Sequence, residues 1–212
     1  LWYHITYKVI DCTQYWIPQT RKRFVLIASR LWPIEIISPT HKRPITLSET
    51  IGDLPDIQHW EQRSKDRYHI SRSLNKINLE RIKRVPKNWG SLKDISEKYR
   101  PECYKKESGK SYINNVYGRM RRDAPSPTMT TFCTWLGNWR FWHPEQNRAI
   151  SIREAARIQT FPDDYEFVPK DREIPIVKVS KHIGNAVPVK LGQIIAQSIS
   201  LSLEKKWNGR SY

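Results

Sequence analysis

The sequences YHITYKV at positions 3–9 and FVLIA at positions 24–28 predict the first two elements of the fold. In the first, apolar and polar residues alternate with a period of two, which is typical of a strand in a sheet with one polar face. The second is a short continuous apolar run, which predicts a strand covered on both faces. A polar turn at 11–23 lies between them. The chain is therefore expected to open with two strands joined by a turn.

Helices are predicted near the other end of the sequence. Ser151 and Glu154 have the spacing of a capping box, which marks the start of a helix. A second helix is expected to begin at Pro188, a residue tolerated in the first turn. Its inward stripe recurs at steps of four, at Leu191, Ile195 and Ile199.

The middle of the chain, residues 37–118, is broken into short pieces by prolines and glycines. Short helices are expected near 47–52 and 73–85. This composition indicates a separate, loop-rich module rather than a continuation of the opening sheet.

The positive charge is concentrated in that module. The 212 residues hold 37 Lys and Arg against 21 Asp and Glu, a net charge of +16. Residues 63–122 alone hold 18 cations against 6 anions, together with one Trp and five Tyr. Cations interleaved with aromatic rings are typical of a surface that binds a polyanion, and we expect nucleic acid rather than a solvated basic face.

Other classes of protein are disfavoured. No stretch approaches the roughly 20 apolar residues of a membrane span, so no membrane partner is expected. Cys12, Cys103 and Cys133 are odd in number and far apart, which predicts neither a disulfide framework nor a metal pair. A reducing, cytoplasmic location follows from this cysteine pattern.

Four short motifs follow one another along the chain. They are Gln-Thr-Arg-Lys-Arg at 19–23 (the arginine turn), Pro-Ser-Pro-Thr at 125–128, Arg-Glu-Ala-Ala-Arg at 153–157 and Gly-Asn-Ala-Val at 184–187. Each alone is a weak signal. In this order and spacing, they resemble the C-terminal half of the DNA cytosine-5 methyltransferases.

The resemblance implies an α/β fold. Residues 1–36 would form a strand pair of a Rossmann-like, S-adenosylmethionine-dependent catalytic domain. Residues 37–150 would form an inserted, smaller, β-rich target-recognition domain. Residues 151–212 would return as helices to the catalytic domain and the cofactor site.

The resemblance also implies a reaction. Family members take a methyl group from S-adenosylmethionine, flip a cytosine out of the duplex, attack its carbon 6 with a cysteine thiolate and methylate carbon 5. Flipping is needed because the reacting atoms are inaccessible in the stack. Gln19, Arg21 and Arg23 match the arginine turn of the family. By this match Arg23 would hydrogen-bond the flipped cytosine, and Arg21 would hold the backbone.

Further site residues follow from the resemblance. Asn185, Ala186 and Val187 match the block that closes over the methionine end of the cofactor. Gly184 and Asn185 permit a tight turn there, and the amides of the helix after it could face a carboxylate. The family often has Ser where this chain has Ala186, so one cofactor hydrogen bond is lacking. For each arginine a phosphate or surface role is favoured over base readout. The candidate DNA contacts are Arg119, Arg121, Arg122 and Thr128.

The family's Pro-Cys-Gln nucleophile motif is absent from the sequence, as is its glycine-rich cofactor loop. We therefore expect no methylation by this chain alone. It would be a fragment, which the lack of a starting Met favours, or a split subunit, and its partners would be double-stranded DNA and the N-terminal half. The opening strands and the last helix would then expose apolar surface, against which that half would pack.

Two alternatives stay open. One is a non-catalytic DNA-binding module derived from such an enzyme. The other is an RNA-directed relative, whose recognition region is typically shorter than the roughly eighty residues found between the motifs here.

Overall fold

The computed structural model describes residues 2–59, 65–105, 116–137 and 140–208. The strands are β1 (His4–Asp11), β2 (Gln19–Thr20), β3 (Lys22–Ser29) and β4 (Ser126–Pro127). The α-helices are α1 (Leu47–Ile51), α2 (Lys76–Arg84), α3 (Glu102–Lys105), α4 (Ile152–Ile158), α5 (Ile176–Asn185) and α6 (Val189–Asn208). Short 3₁₀ turns cover Cys12–Gln14, Leu92–Asp94 and Glu97–Tyr99.

The two opening strands form an antiparallel ribbon, as predicted, with Tyr7 opposite Leu26 and Val9 opposite Phe24. One face of the ribbon packs on α6 through a cluster that includes Val25, Ile27, Leu191 and Ile194. The other face is apolar and exposed. Its members are Ile5, Tyr7, Val9, Phe24 and Leu26, and the last two are 61% and 52% exposed.

The prediction that the run 24–28 is covered on both faces is therefore wrong for the described residues, since alternate side chains of β3 face solvent. The expected apolar surface on the opening strands is confirmed. On α6 the predicted stripe is buried at Leu191, while Ile199 is exposed, together with Leu201 and Leu203.

The middle of the chain consists mainly of short helices and loops. The helices predicted near 47–52 and 73–85 are present as α1 and α2. The expectation of a β-rich region over 37–150 is not met by the described residues there. Their β structure is β4 and isolated bridges at Ser91–Gly118, Arg119–Trp142 and Trp142–Ala149.

The main hydrophobic cluster spans the expected domain boundary at 150. It joins Leu47 and Ile51 of α1 to α4 and to Val179 and Ile183 of α5. The capping box predicted for α4 is confirmed, because Ser151 Oγ accepts from the Glu154 amide and Glu154 Oε2 accepts from the Ser151 amide. Part of the region 37–150 therefore shares this cluster with α4 and α5, while a second cluster, which includes Ile82, Leu92 and Trp142, lies within the middle region.

Helix α5 was not predicted. The sequence suggested that Gly184 and Asn185 form a tight turn, but both are the last residues of α5. Gly184 has an ordinary helical conformation, and its role is to allow close packing. A Cβ built on Gly184 would lie 2.0 Å from the carbonyl oxygen of Thr130, so only glycine fits against this backbone.

Replacing Gly184 with alanine is expected to destabilise the chain by about 2 kcal/mol, because the new methyl group meets a backbone oxygen that must move. Gly192 is the matched control, since it also lies in a helix but a Cβ there would have no neighbour within 4 Å. Gly192→Ala is expected to stabilise by roughly 0.5–1 kcal/mol through helix propensity alone. Urea unfolding of both variants measures the two effects, and equal effects of the same sign would contradict this assignment.

By length and composition, residues Ile176–Lys206 form a helical stretch long and apolar enough to cross a membrane. This is weak support for a span, because a helix of a soluble protein passes the same test. The stretch consists of two helices, α5 and α6, which are separated at Ala186 to Pro188. The statement from sequence that no stretch approaches a span was nevertheless too strong.

Candidate functional site

The arginine turn lies beside the Pro-Ser-Pro-Thr motif. Strand β2 pairs in parallel with β4, with Gln19 opposite Ser126 and Thr20 opposite Pro127. The Thr128 hydroxyl donates to the Thr20 carbonyl at 2.5 Å. Thr128, predicted to anchor DNA, therefore also fixes the backbone of the arginine turn.

The side chain of Gln19 is completely buried and fully hydrogen-bonded. Its amide nitrogen donates to Gln159 Oε1 at 2.8 Å and to the Ile158 carbonyl at 3.2 Å. Its carbonyl oxygen accepts from the Met129 amide at 3.0 Å. Gln19 thus ties the turn to the end of α4 rather than pointing into an open cleft.

The buried side chain of Gln159 continues this connection to the fourth motif. Its amide nitrogen donates to the carbonyl of Ile183 at 2.7 Å and to that of Ala186 at 3.1 Å. We call Gln19 and Gln159 the glutamine bridge. It joins the arginine turn to the Gly-Asn-Ala-Val block, two motifs about 160 residues apart in sequence.

The sequence patterns did not single out Gln159. The available signal was a polar side chain at the end of an apolar helix, directly before the Thr160-Phe161-Pro162 turn. A glutamine there can supply both a donor and an acceptor to backbone groups left unpaired at a helix end.

The two arginines of the turn differ in their surroundings. Arg21 is buried, and its Nη1 donates to the Met129 carbonyl at 3.2 Å and to Gln19 Oε1 at 3.4 Å. Burial, followed by the charge of Arg23, lowers the pKa of Arg21. Arg23 is half-buried and donates to the neighbouring Lys22 carbonyl at 2.7 Å. Arg21 is therefore built into the turn, whereas Arg23 keeps donors available for a ligand.

The predicted cofactor block ends α5. The side chains of Asn185 and Val187 are exposed, while the carbonyl of Ala186 is engaged by Gln159. An exposed amide and an exposed isopropyl group are available to a ligand here, and the role of Asn185 and Val187 at a cofactor stays a prediction.

The backbone amides at the start of α6, which follow this block, already donate hydrogen bonds within the chain. The Val189 amide donates to the Gln159 carbonyl at 3.1 Å, and the Lys190 amide donates to Thr160 Oγ1 at 3.0 Å. The expectation that these amides face a carboxylate is therefore wrong, because the turn after α4 occupies them.

Arg119, predicted to contact DNA, is 1% exposed. Burial lowers its pKa to about 10. Its guanidinium donates to the carbonyl oxygens of Val85 (3.2 Å), His143 (2.9 Å), Gln146 (2.6 Å) and Ile82 (2.8 Å) and to Asn147 Oδ1 (2.6 Å). The prediction is wrong for Arg119 in this structure, because its donors are used internally.

Arg121 and Arg122 are exposed, as a DNA contact requires. Arg121 pairs with Asp123 through an Nη2–Oδ2 contact of 2.7 Å, a surface ion pair of little strength. The Arg122 amide donates to Asn88 Oδ1 at 2.8 Å, so its backbone is held while its side chain reaches solvent. Their role on DNA stays a prediction.

The described thiols are poorly placed as nucleophiles. Burial raises the pKa of Cys12, and burial raises the pKa of Cys133 to about 11. A thiol, unlike a thiolate, is a weak nucleophile at neutral pH. The side chain of Cys103 lies outside the described residues. Among the described residues no group of three or more His, Cys, Asp or Glu could hold a metal ion.

A buried histidine lies behind α4. His143 Nδ1 accepts from the amides of Glu145 and Gln146, so the ring is held neutral, and burial lowers its pKa to about 4. Burial by itself would raise the pKa of Glu154. The Arg148 guanidinium, which donates to the two carboxylate oxygens of Glu154 at 2.7 and 2.6 Å, has the larger effect and lowers this pKa to about 2.

These shifts predict the acid response. Because the folded-state pKa of His143 lies below its ordinary value of 6.5, the unfolded chain takes up a proton first, and stability falls as the pH drops from 6.5 towards 4. Glu154 adds a further loss of stability as the pH falls from 4.5 to about 2. His143→Asn, which keeps an acceptor for the two amides, is expected to remove on the order of 2 kcal/mol of this loss. Urea unfolding across that pH range measures it, and an unchanged slope would contradict the neutral buried ring.

Comparison with known proteins gives consistent results over almost the whole chain. The family model for C-5 cytosine-specific DNA methylases matches residues 1–201. Type II methylase M.HgiDII of Herpetosiphon aurantiacus is 48% identical over 210 residues, which cover 96% of this chain and 57% of that protein. Type II methyltransferase M1.HphI of Haemophilus parahaemolyticus is 33% identical over 201 residues, which cover 94% of this chain and 48% of that protein. The chain thus spans about half the length of these relatives.

Solved structures agree at the level of the fold. A DNA modification methyltransferase encoded within an Escherichia coli prophage superposes with a TM-score of 0.64 at 18% identity, over 95% of this chain and 61% of that one. The methyltransferase EhMeth of Entamoeba histolytica superposes with a TM-score of 0.52 at 12% identity, over 95% of this chain and 54% of that one. These likenesses show the Rossmann-like α/β methyltransferase fold.

Proposed function

The chain belongs to the C-5 cytosine-specific DNA methylase family, and from that membership we propose that it is the target-recognition and cofactor-closing part of a DNA (cytosine-5) methyltransferase. The observation that carries the proposal is the glutamine bridge. Through it the turn that bears Arg23 and the block that bears Asn185 are fixed to each other by buried hydrogen bonds. A site that must align a base with a methyl donor needs such rigid support.

Arg23 is the group of this chain that would touch the reacting base. With its guanidinium held on the Lys22 carbonyl at an exposed position, it can hydrogen-bond a flipped cytosine and stabilise negative charge that develops on the ring. Arg21 is a positioning residue, since its contacts are to Gln19 and Met129.

Asn185 and Val187 would hold the methyl donor that the family implies, S-adenosylmethionine, from one side. The donor supplies a methyl group activated on a sulfonium. Asn185 would orient the donor through its exposed amide, and Val187 would exclude water from one face of it. Ala186 offers no hydroxyl, so hydrogen bonding here depends on Asn185.

The nucleophile is proposed to come from the N-terminal half of such an enzyme, in the same polypeptide or as a separate subunit. No cysteine of this sequence stands in a Pro-Cys context, and Cys12 and Cys133 are buried. The exposed face of the β1–β3 ribbon is where that half would pack, because Phe24 and Leu26 leave a contiguous apolar surface open to water. Two bacterial relatives named as type II enzymes suggest a role in restriction and modification, and hence a cytoplasmic location.

Binding of nucleic acid by the chain tests the recognition role. We expect a gel-shift series to show preference for duplex DNA over tRNA, with affinity falling as salt is raised because phosphates release counterions. Arg121→Gln and Arg122→Gln should each reduce the salt slope by about one unit without changing stability. Preference for tRNA would favour the RNA-directed alternative. Binding of a specific duplex without any methylation in the presence of the N-terminal half would favour the non-catalytic module.

A further inference from the structure

We propose that a cavity beside Trp89 binds one unstacked nucleobase of the DNA, apart from the flipped cytosine. The proposal rests on the proposed function. The cavity holds about 300 Å³, near the lower end of the range for small-molecule sites. Its lining includes Thr20, Trp89, Arg121, Pro125, Pro127 and Arg140. Thr20 belongs to the arginine turn, so the cavity directly adjoins the candidate active site.

The backbone presents Trp89 in a strained conformation. Trp89 has a φ angle of 91°, which a bulky side chain rarely adopts, and it follows Asn88, whose φ of 50° is in the left-handed region that asparagine tolerates. The strained pair is held in place by its neighbours. The Asn88 amide donates to the Pro144 carbonyl at 2.9 Å, and Asn88 Oδ1 accepts from the Arg122 amide at 2.8 Å. Strain that the surroundings enforce in this way is typical of binding sites.

Arg140 packs against one face of the indole. This buried guanidinium lies 3.8 Å from the centroid of the Trp89 ring and donates to the carbonyls of Trp89 and Gly90. Gly118 makes room for it, since a Cβ there would lie 2.7 Å from Arg140 Cζ. The tryptophan is thereby fixed at the rim of the cavity, although 48% of it remains exposed.

These features match the chemistry of a nucleobase. An indole stacks on any base because every base has a π-face. Pro125 and Pro127 add apolar surface to the lining of the cavity. Arg121 and Arg140 belong to the lining of this cavity, in a chain whose net charge is +16, which favours nucleic acid over an apolar peptide. A base that leaves the stack next to a flipped cytosine would find this cavity beside Thr20.

The test compares two fluorescent duplexes of the same sequence, one of which carries a single unpaired adenine. The unpaired base leaves the stack at low cost, so the chain should bind this duplex about tenfold more tightly. Trp89→Ala should reduce the preference to less than twofold, whereas Trp89→Phe should retain most of it. Affinity for the fully paired duplex should stay within twofold in both variants.

Two controls separate this cavity from other sites. Arg23→Ala should keep the preference, because an adenine held at Trp89 does not use the cytosine site. Trp135→Ala should also keep it. Trp135 is 39% exposed and stacked on Arg72 at 3.7 Å, but it lies outside the cavity.

The outcomes are distinct. A preference that survives Trp89→Ala, or that disappears with Arg23→Ala, overturns the base site and leaves the cavity to another partner, such as an apolar peptide. Binding of the paired duplex in the same experiment would then leave the proposed function standing. Failure of the wild-type chain to bind either duplex would overturn both.

Discussion

Replacing Arg119 with methionine is expected to lower the free energy of unfolding by about 4 kcal/mol, since the guanidinium satisfies five acceptors inside the protein. Methionine fills much of the same volume but donates no hydrogen bond. Each buried carbonyl left without a donor costs roughly 1–3 kcal/mol, and the losses are not fully additive. Chemical denaturation of the variant measures the effect.

Arg121→Met is the matched control, because Arg121 is exposed and pairs only with Asp123 at the surface. It should change stability by less than about 0.5 kcal/mol. The contrast between the two variants separates an arginine that builds the fold from one available to DNA. Equal stability of the two would restore Arg119 as a candidate DNA contact.

Gln159→Leu is expected to destabilise the chain by about 3 kcal/mol and to reduce methyl transfer by the complete enzyme at least a hundredfold. The substitution leaves the carbonyls of Ile183 and Ala186 without their buried donor and breaks the link to Gln19. The block that bears Asn185 is then free to shift relative to the arginine turn. A displacement of about 1 Å at such a site can cost a hundredfold in rate.

Gln197→Leu provides the control, since Gln197 lies on the exposed face of α6. It should leave both stability and methyl transfer near the wild-type values. Rates should be measured at a temperature where Gln159→Leu is still folded, so that loss of rate is not loss of protein. A destabilised Gln159→Leu with a normal rate would show that the glutamine bridge supports the fold but does not align the site.

The sequence predicted those features that depend on local patterns. Alternation and a short apolar run identified β1 and β3, and the Ser151–Glu154 spacing identified the start of α4. Helix α5 was not predicted, because the motif near its end indicated that Gly184 belongs to a turn. Close packing on Thr130, which only the tertiary structure shows, is the reason for a glycine there.

Counting cations overestimated the surface available to DNA. In a region with little regular sheet, arginines pair with backbone carbonyls that would otherwise remain unsatisfied. Arg119 does so, and Arg100 donates in the same way to Leu92, Lys93 and Ile95. The lysines of the same segment whose side chains the structure describes stay exposed, namely Lys65, Lys76, Lys83, Lys87, Lys93 and Lys98. The sequence gives the number of cations, but burial decides which of them a partner can reach.

Transfer of a labelled methyl group from S-adenosylmethionine to duplex DNA measures whether this chain depends on a nucleophile supplied by another half. We expect no transfer by this chain alone, transfer when a chain bearing the Pro-Cys nucleophile is added, and a loss of at least a hundredfold on Arg23→Ala, with Lys22→Ala unaffected. Methyl transfer by this chain on its own would contradict the account.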